Sequence, residues 1–165
     1  MMKLKICLDL DDCIFDWRNA HEQKFNCVVS KLSFEEVNNQ VFSCKKDKNF
    51  WSNLNLLERP DFEPVCYCTK RINSKVYTKT CLNKHNLPIK PIYQVYNQHD
   101  NKARFIKGRC DVLIDDSYDN VIQCIKAGVP AFLIERPHNK HIKTPYKVKK
   151  LQYKLIEEKY NELFR

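Results

Sequence analysis

The run "LKICLDLDD", Leu4 to Asp12, is the feature that most narrows what this chain can fold into. It starts nearly continuously apolar and ends in three carboxylates, with a fourth at Asp16. A strand that is apolar on both faces must be covered on both faces, as in a parallel sheet. Acids crowded at its end repel, so each needs a counter-charge or solvent. "CDVLIDD" (110–116) has the same texture and again runs into paired acids. Three more apolar runs, "PVCYCT" (64–69), "PIYQVY" (91–96) and "PAFLIE" (130–135), complete a set of five expected strands.

Helical segments separate these runs. One lies roughly over 72–86, a short one over 101–109, one over 117–128 with Val121, Cys124 and Ile125 turned inward and Gly128 as its stop, and one closes the chain. In the closing helix Leu151, Leu155, Tyr160 and Leu163 are the expected packing face. Alternating strands and helices imply right-handed crossovers and an α/β, doubly wound parallel sheet, a Rossmann-like three-layer arrangement. The stretch 17–62 interrupts this rhythm. It is polar, and in "SFEEVNNQVF" Ser33 and Glu36 have capping-box spacing, with Phe34, Val37 and Val41 on one face. It reads as a small helical cap inserted after strand one, leaving 1–16 and 63–165 as the core of a single domain.

The 165 residues suffice for one domain with a sizeable core. No apolar run approaches the roughly 18 residues of a membrane span, and "MMKLKICLDL" is too short and acidic for a signal peptide. A cytoplasm is therefore expected, and the Lys- and Asn-rich, Gly-poor texture is that of an AT-rich genome, a host cytoplasm if that genome is viral. Nine cysteines without a CxxC pair read as reduced, buried thiols rather than disulfides or a zinc site. The net charge of +9 is spread along the chain, which favours anionic small ligands over a nucleic-acid groove.

In a doubly wound sheet ligands bind at the carboxyl ends of the strands. If strands one and four are neighbours, Asp9, Asp11, Asp115 and Asp116 converge there. Four carboxylates need a cation, and an all-oxygen site suits magnesium, which commonly pairs with a substrate phosphate. A carboxylate can also attack phosphorus, and of Asp9 and Asp11 one would attack while the other protonates the leaving oxygen. Thr69 and Lys102 would hold the remaining phosphoryl oxygens.

This ordered set of acid pair, threonine, lysine and acid pair resembles the haloacid dehalogenase-like superfamily of phosphotransferases. "DLDDCIFD" is similar to its first motif, "VCYCT" to its second, "NKARFIKGR" to its third and "VLIDD" to its fourth. The resemblance implies Asp9 as nucleophile, Asp11 as general acid and base, Thr69 as the phosphate-binding hydroxyl and Lys102 as the third-motif lysine, with Lys107 as the alternative. It implies Mg2+ held by the Asp9 carboxylate, the Asp11 backbone carbonyl and a fourth-motif carboxylate, Asp116 directly with Asp115 in support. The finer pattern resembles the 5'(3')-deoxyribonucleotidase branch and related short phage and bacterial proteins, which implies a phosphatase acting on a small phosphorylated substrate, a nucleoside monophosphate first.

Asp12 departs from that pattern, standing where such proteins often carry Gly or Asn. Phe50 and Trp51 either stack a nucleobase or pack the cap onto the core. Arg71 either pairs with a phosphate or solvates the strand end. His138 and Asn139 lie in a loop near the same edge. Two rival readings are a 3'-phosphatase of nucleic-acid ends and a binding protein on the same fold that does no turnover. The domain is compatible with a homodimer.

Overall fold

The computed structural model describes residues 3–97 and 100–165. Six parallel strands, β1 (Ile6–Leu8), β2 (Cys66–Thr69), β3 (Ile92–Gln94), β4 (Val112–Asp115), β5 (Ala131–Ile134) and β6 (Lys147–Val148), form one sheet in the order β3-β2-β1-β4-β5-β6. Five lie within the apolar runs of the sequence. The sixth has no such signal, because its two residues sit in a lysine-rich stretch and only Val148 is buried.

Side chains alternate across the sheet and build two cores. On one face Ile6, Leu8, Ile114, Phe132 and Ile134 pack with Cys81 and Leu82 of α4 (Lys75–Lys84) and Ile156 of α7 (Tyr153–Phe164). On the other, Cys7, Cys68, Leu113 and Leu133 pack with Ala103 and Ile106 of α5 (Ala103–Ile106) and Val121 and Cys124 of α6 (Tyr118–Lys126). This is the expected three-layer arrangement. α6 stops as its sequence predicts. Gly128 has φ +76°, its N–H reaches Ile125 O and the Val129 N–H reaches Cys124 O, which satisfies two carbonyls at the helix end.

The closing helix departs from expectation in register. Leu155 is 39% exposed, Ile156 is the buried position, and Leu151 is buried but precedes the helix. The cap carries α1 (Trp17–Phe25), α2 (Phe34–Ser43) and α3 (Lys48–Ser52). The capping box at α2 is present: the Glu36 N–H donates to Ser33 Oγ while the Ser33 N–H donates to Glu36 Oε2.

Candidate active site

The chain runs β1, β2, β3 in one direction and then crosses to β4 on the other side of β1. The carboxyl ends of β1 and β4 therefore flank the crevice where the winding reverses, the place where such sheets bind ligands. Asp9 follows β1 and Asp115 ends β4, and the Asp9 N–H donates to Ile114 O at 2.9 Å, which fixes the two ends together.

Lys102, at the entry to α5, is buried between these two acids. Its Nζ donates to Asp9 Oδ1 and, at 2.7 Å, to Asp115 Oδ2. Lys107, one turn on, is exposed and donates to Ala127 O, away from the acids. Asp115 is held further by the Ser117 N–H at 2.9 Å and by Asn120 Nδ2. Asp116 Oδ2 lies 2.9 Å from His138 Nε2, and Asn139 Nδ2 donates to the Asp116 carbonyl. Thr69, 1% exposed at the end of β2, accepts from the Arg71 N–H.

Burial is the largest influence on Asp9 and pushes its carboxyl up; Lys102 pulls it back, and Asp115, Asp116 and Asp11 push it further. Burial also works against a charged Lys102, but Asp115 and Asp9 outweigh it and hold the ammonium above the ordinary lysine range. Carboxylate oxygens of Asp9, Asp115 and Asp116 all lie within 4.8 Å of one another. Three acids face one ammonium, and the donors are all oxygen. That set fits a hard divalent cation of the magnesium type.

Arg71 does not solvate the strand end; it lines the cavity beside Thr69 and Lys102. Its side chain is fully buried, and it spends its planar fork on Asp11: Nε is 3.0 and 2.9 Å from the two carboxylate oxygens and Nη2 is 2.6 Å from Oδ1. The Asp11 side chain keeps 23% exposure. Trp51 is 1% exposed, packs the cap onto the core and donates from Nε1 to Cys44 O. Phe50 packs edge-on against Trp51 and near Lys24, off the cavity wall.

Asp12 takes φ +55°, the left-handed region that Gly and Asn adopt at least cost, which is the physical reason those residues suit this position. Its carboxylate accepts from the Arg18 N–H at 2.8 Å. Burial and then Asp116 raise it, to about 7, against the opposing pull of Arg18. Arg136 was not anticipated from sequence. It clamps the turn after β1 by donating to the Asp12 and Cys13 carbonyls and to Glu58.

A cavity of about 380 Å³ opens over Asp9, Asp11 and Asp116. Its roof comes from the cap: Trp17, Val29, Phe34, Val37, Val41 and Trp51. The apolar face of α2 thus lines the cavity, with Val41 also packed against the core and Phe34 64% exposed.

Known structures share this architecture. An L-2-haloacid dehalogenase superposes with a TM-score of 0.58 at 10% identity, covering 91% of this chain and 96% of the other. A haloacid dehalogenase-superfamily hydrolase from Geobacter sulfurreducens gives 0.58 at 12%, covering 95% and 100%. The hydrolase YfnB from Bacillus subtilis, bound to magnesium, gives 0.52 at 14%, covering 98% and 99%. At these identities the likeness is one of fold, and the fold is haloacid dehalogenase-like. No protein-family model matches the sequence, and no curated protein does. Among the described residues no helix is long and apolar enough to cross a membrane.

Proposed function

We propose that the protein is a magnesium-dependent phosphatase acting on a small phosphomonoester, a nucleoside monophosphate first. The observation that carries this reading is the meeting of Asp9, Lys102, Asp115 and Asp116 at the crevice between β1 and β4, with Thr69 on the neighbouring strand end. Asp9, Asp116 and the Asp11 carbonyl, supported by Asp115, would hold magnesium, which when bound neutralises charge on the transferring group. In the first step an Asp9 oxygen bonds to phosphorus as the bond to the leaving oxygen breaks, and Asp11 gives that oxygen its proton. In the second, a water oxygen bonds to phosphorus, Asp11 takes the water's proton, and the bond from phosphorus to the Asp9 oxygen of the acyl phosphate breaks, which releases phosphate and restores the Asp9 carboxylate. Thr69 and Lys102 hold the phosphoryl oxygens through both steps, and the apolar roof excludes bulk water.

A second reading, a phosphatase of nucleic-acid 3' ends, draws on one feature. Residues 138–150 hold five lysines and two histidines with no acid, and they begin beside Asp116. Incubation with magnesium and a panel of nucleoside monophosphates and 3'-phosphorylated oligonucleotides separates the readings. Release from monophosphates, lost in Asp9→Asn, supports the first. Release from oligonucleotide ends alone, weakened by salt, supports the second. No release from any of them sinks the nucleotidase and nucleic-acid readings and leaves either another small phosphomonoester as substrate or a binding protein on this fold.

A further inference from the structure

Arg71 is a fully buried cation that touches neither Asp9 nor Asp115, the pair that Lys102 bridges. It lines the cavity, and its shortest hydrogen bonds go to one carboxylate. Nε and Nη2 make three contacts with the Asp11 oxygens, between 2.6 and 3.0 Å. Nη1 donates to Thr78 Oγ1 of α4 at 3.2 Å, and Thr78 is itself fully buried. The guanidinium carbon lies 5.4 Å from the ring of Phe15 and 5.4 Å from that of Trp51. A guanidinium boxed by two aromatic rings and tied at its far nitrogen has one orientation open to it. Asp11 by contrast is partly exposed and lines the cavity, so without that fork its carboxylate has several rotamers to choose from.

We infer that Arg71 is a positioning residue that holds the Asp11 carboxylate where it can exchange a proton with the leaving oxygen, and that Trp51 of the cap forms one wall of the box that fixes Arg71. The inference rests on the phosphatase reading for the role of Asp11. It adds that the cap reaches the proton-transfer step through Trp51 and Arg71, without either touching the reacting atoms.

A merely structural arginine, when replaced, lowers all activities alike. A positioning residue for proton transfer lowers them selectively. An alkoxide leaves slowly without a proton, whereas dinitrophenolate leaves readily without one. The test is kcat/KM on an alkyl phosphate and on 2,4-dinitrophenyl phosphate for the wild type, Arg71→Met, Arg71→Lys, Trp51→Leu and Asp11→Asn, with circular dichroism and Tm to confirm folding. Arg71→Met is expected to lose about 10²-fold on the alkyl ester, the usual scale of a proton-transfer contribution, and only about threefold on the dinitrophenyl ester. Arg71→Lys and Trp51→Leu, which perturb the box less, are expected to show the same selectivity at about tenfold or below. Asp11→Asn should share the pattern, and the Asp11→Asn/Arg71→Met pair should lose no more than Asp11→Asn alone. Equal losses on both esters, or additive losses in the pair, overturn the inference while leaving the phosphatase reading intact. If the wild type releases phosphate from no ester, it is the phosphatase reading that fails. Crystal structures of the wild type and Arg71→Met then decide the positioning claim: an unmoved Asp11 carboxylate overturns it, and a displaced one sustains it.

Discussion

Lys102 and Arg71 are both buried cations at the carboxyl edge of the sheet, and they hold acids in different ways. Lys102 is a compact ammonium placed between two carboxylates from different strands, Asp9 and Asp115. Its surroundings hold more acid than base, an all-oxygen set of the kind that fits a further cation. Arg71 is a planar fork matched to one carboxylate, Asp11, and its remaining faces are covered by Phe15, Trp51 and Thr78. One site carries an excess of acids, and the other pairs one acid with one base. A point charge suits the first task and a rigid fork the second.

The largest loss is expected from Lys102→Met. It leaves Asp9 and Asp115 buried and facing each other, and removing one partner of a buried pair costs about 3–5 kcal/mol. Urea unfolding should register that loss, with phosphate release down about 10³-fold. Unchanged stability would mean that the two acids are not held by this lysine. Charge-conserving swaps sharpen the contrast. Lys102→Arg puts a fork where a point sits and should lower kcat by about 10²-fold, whereas Arg71→Lys keeps the charge on Asp11 and should lower it by about tenfold. Losses of equal size would erase the distinction drawn here.

Magnesium probes the unbalanced side alone. At about a hundred times its Kd it should stabilise the wild type by about 2.7 kcal/mol, read as a rise in Tm that chelation reverses. Asp116→Asn should lose most of that rise, and Arg71→Lys should keep it. Asp12 provides the smallest and most local test. Its carboxyl is raised from 3.8 to about 7 by burial and by Asp116. A raised acid contributes stability below its unfolded pKa that is lost as pH rises through the folded one. In a chelating buffer the wild type should therefore lose ground to Asp12→Asn between about pH 4 and pH 7, read as a Tm difference that moves against the wild type as pH rises. A difference that stays constant across that range would show Asp12 ionised throughout.

The parts of the fold that were legible in sequence are those governed by local pattern. Ile6–Leu8, the stretch 112–114 and Ala131–Ile134 are continuously apolar because both their faces are covered. Ser33 and Glu36 mark the start of α2 because a capping box is a three-residue matter. Acids at strand ends could be read for the same reason, since the sheet's winding alone brings Asp9 and Asp115 together. What could not be read depends on contacts far apart in sequence. Arg71 reaches Asp11 across sixty positions, and Arg136 reaches Asp12 across 124. An arginine beside a strand end carries no mark of which acid it will choose. β6 was silent because Lys147 and Val148 form a strand only by pairing with Leu133 and Ile134. Phe34 and Val37 were legible as one face, but not as a face turned to a cavity, because periodicity tells which residues align and not what they align toward.

The strand order has a consequence for how the chain comes into being. β1 is central, yet it is the first strand made, and its partner β4 pairs with it only through residues more than a hundred positions later, Ile6 with Val112 and Leu8 with Ile114. At ordinary rates of synthesis the apolar segment Ile6–Leu8 waits on the order of ten seconds before that neighbour emerges. Contacts so distant in sequence also close slowly once both ends exist. The segment that ends in the acids of the site thus waits the longest for its last partner.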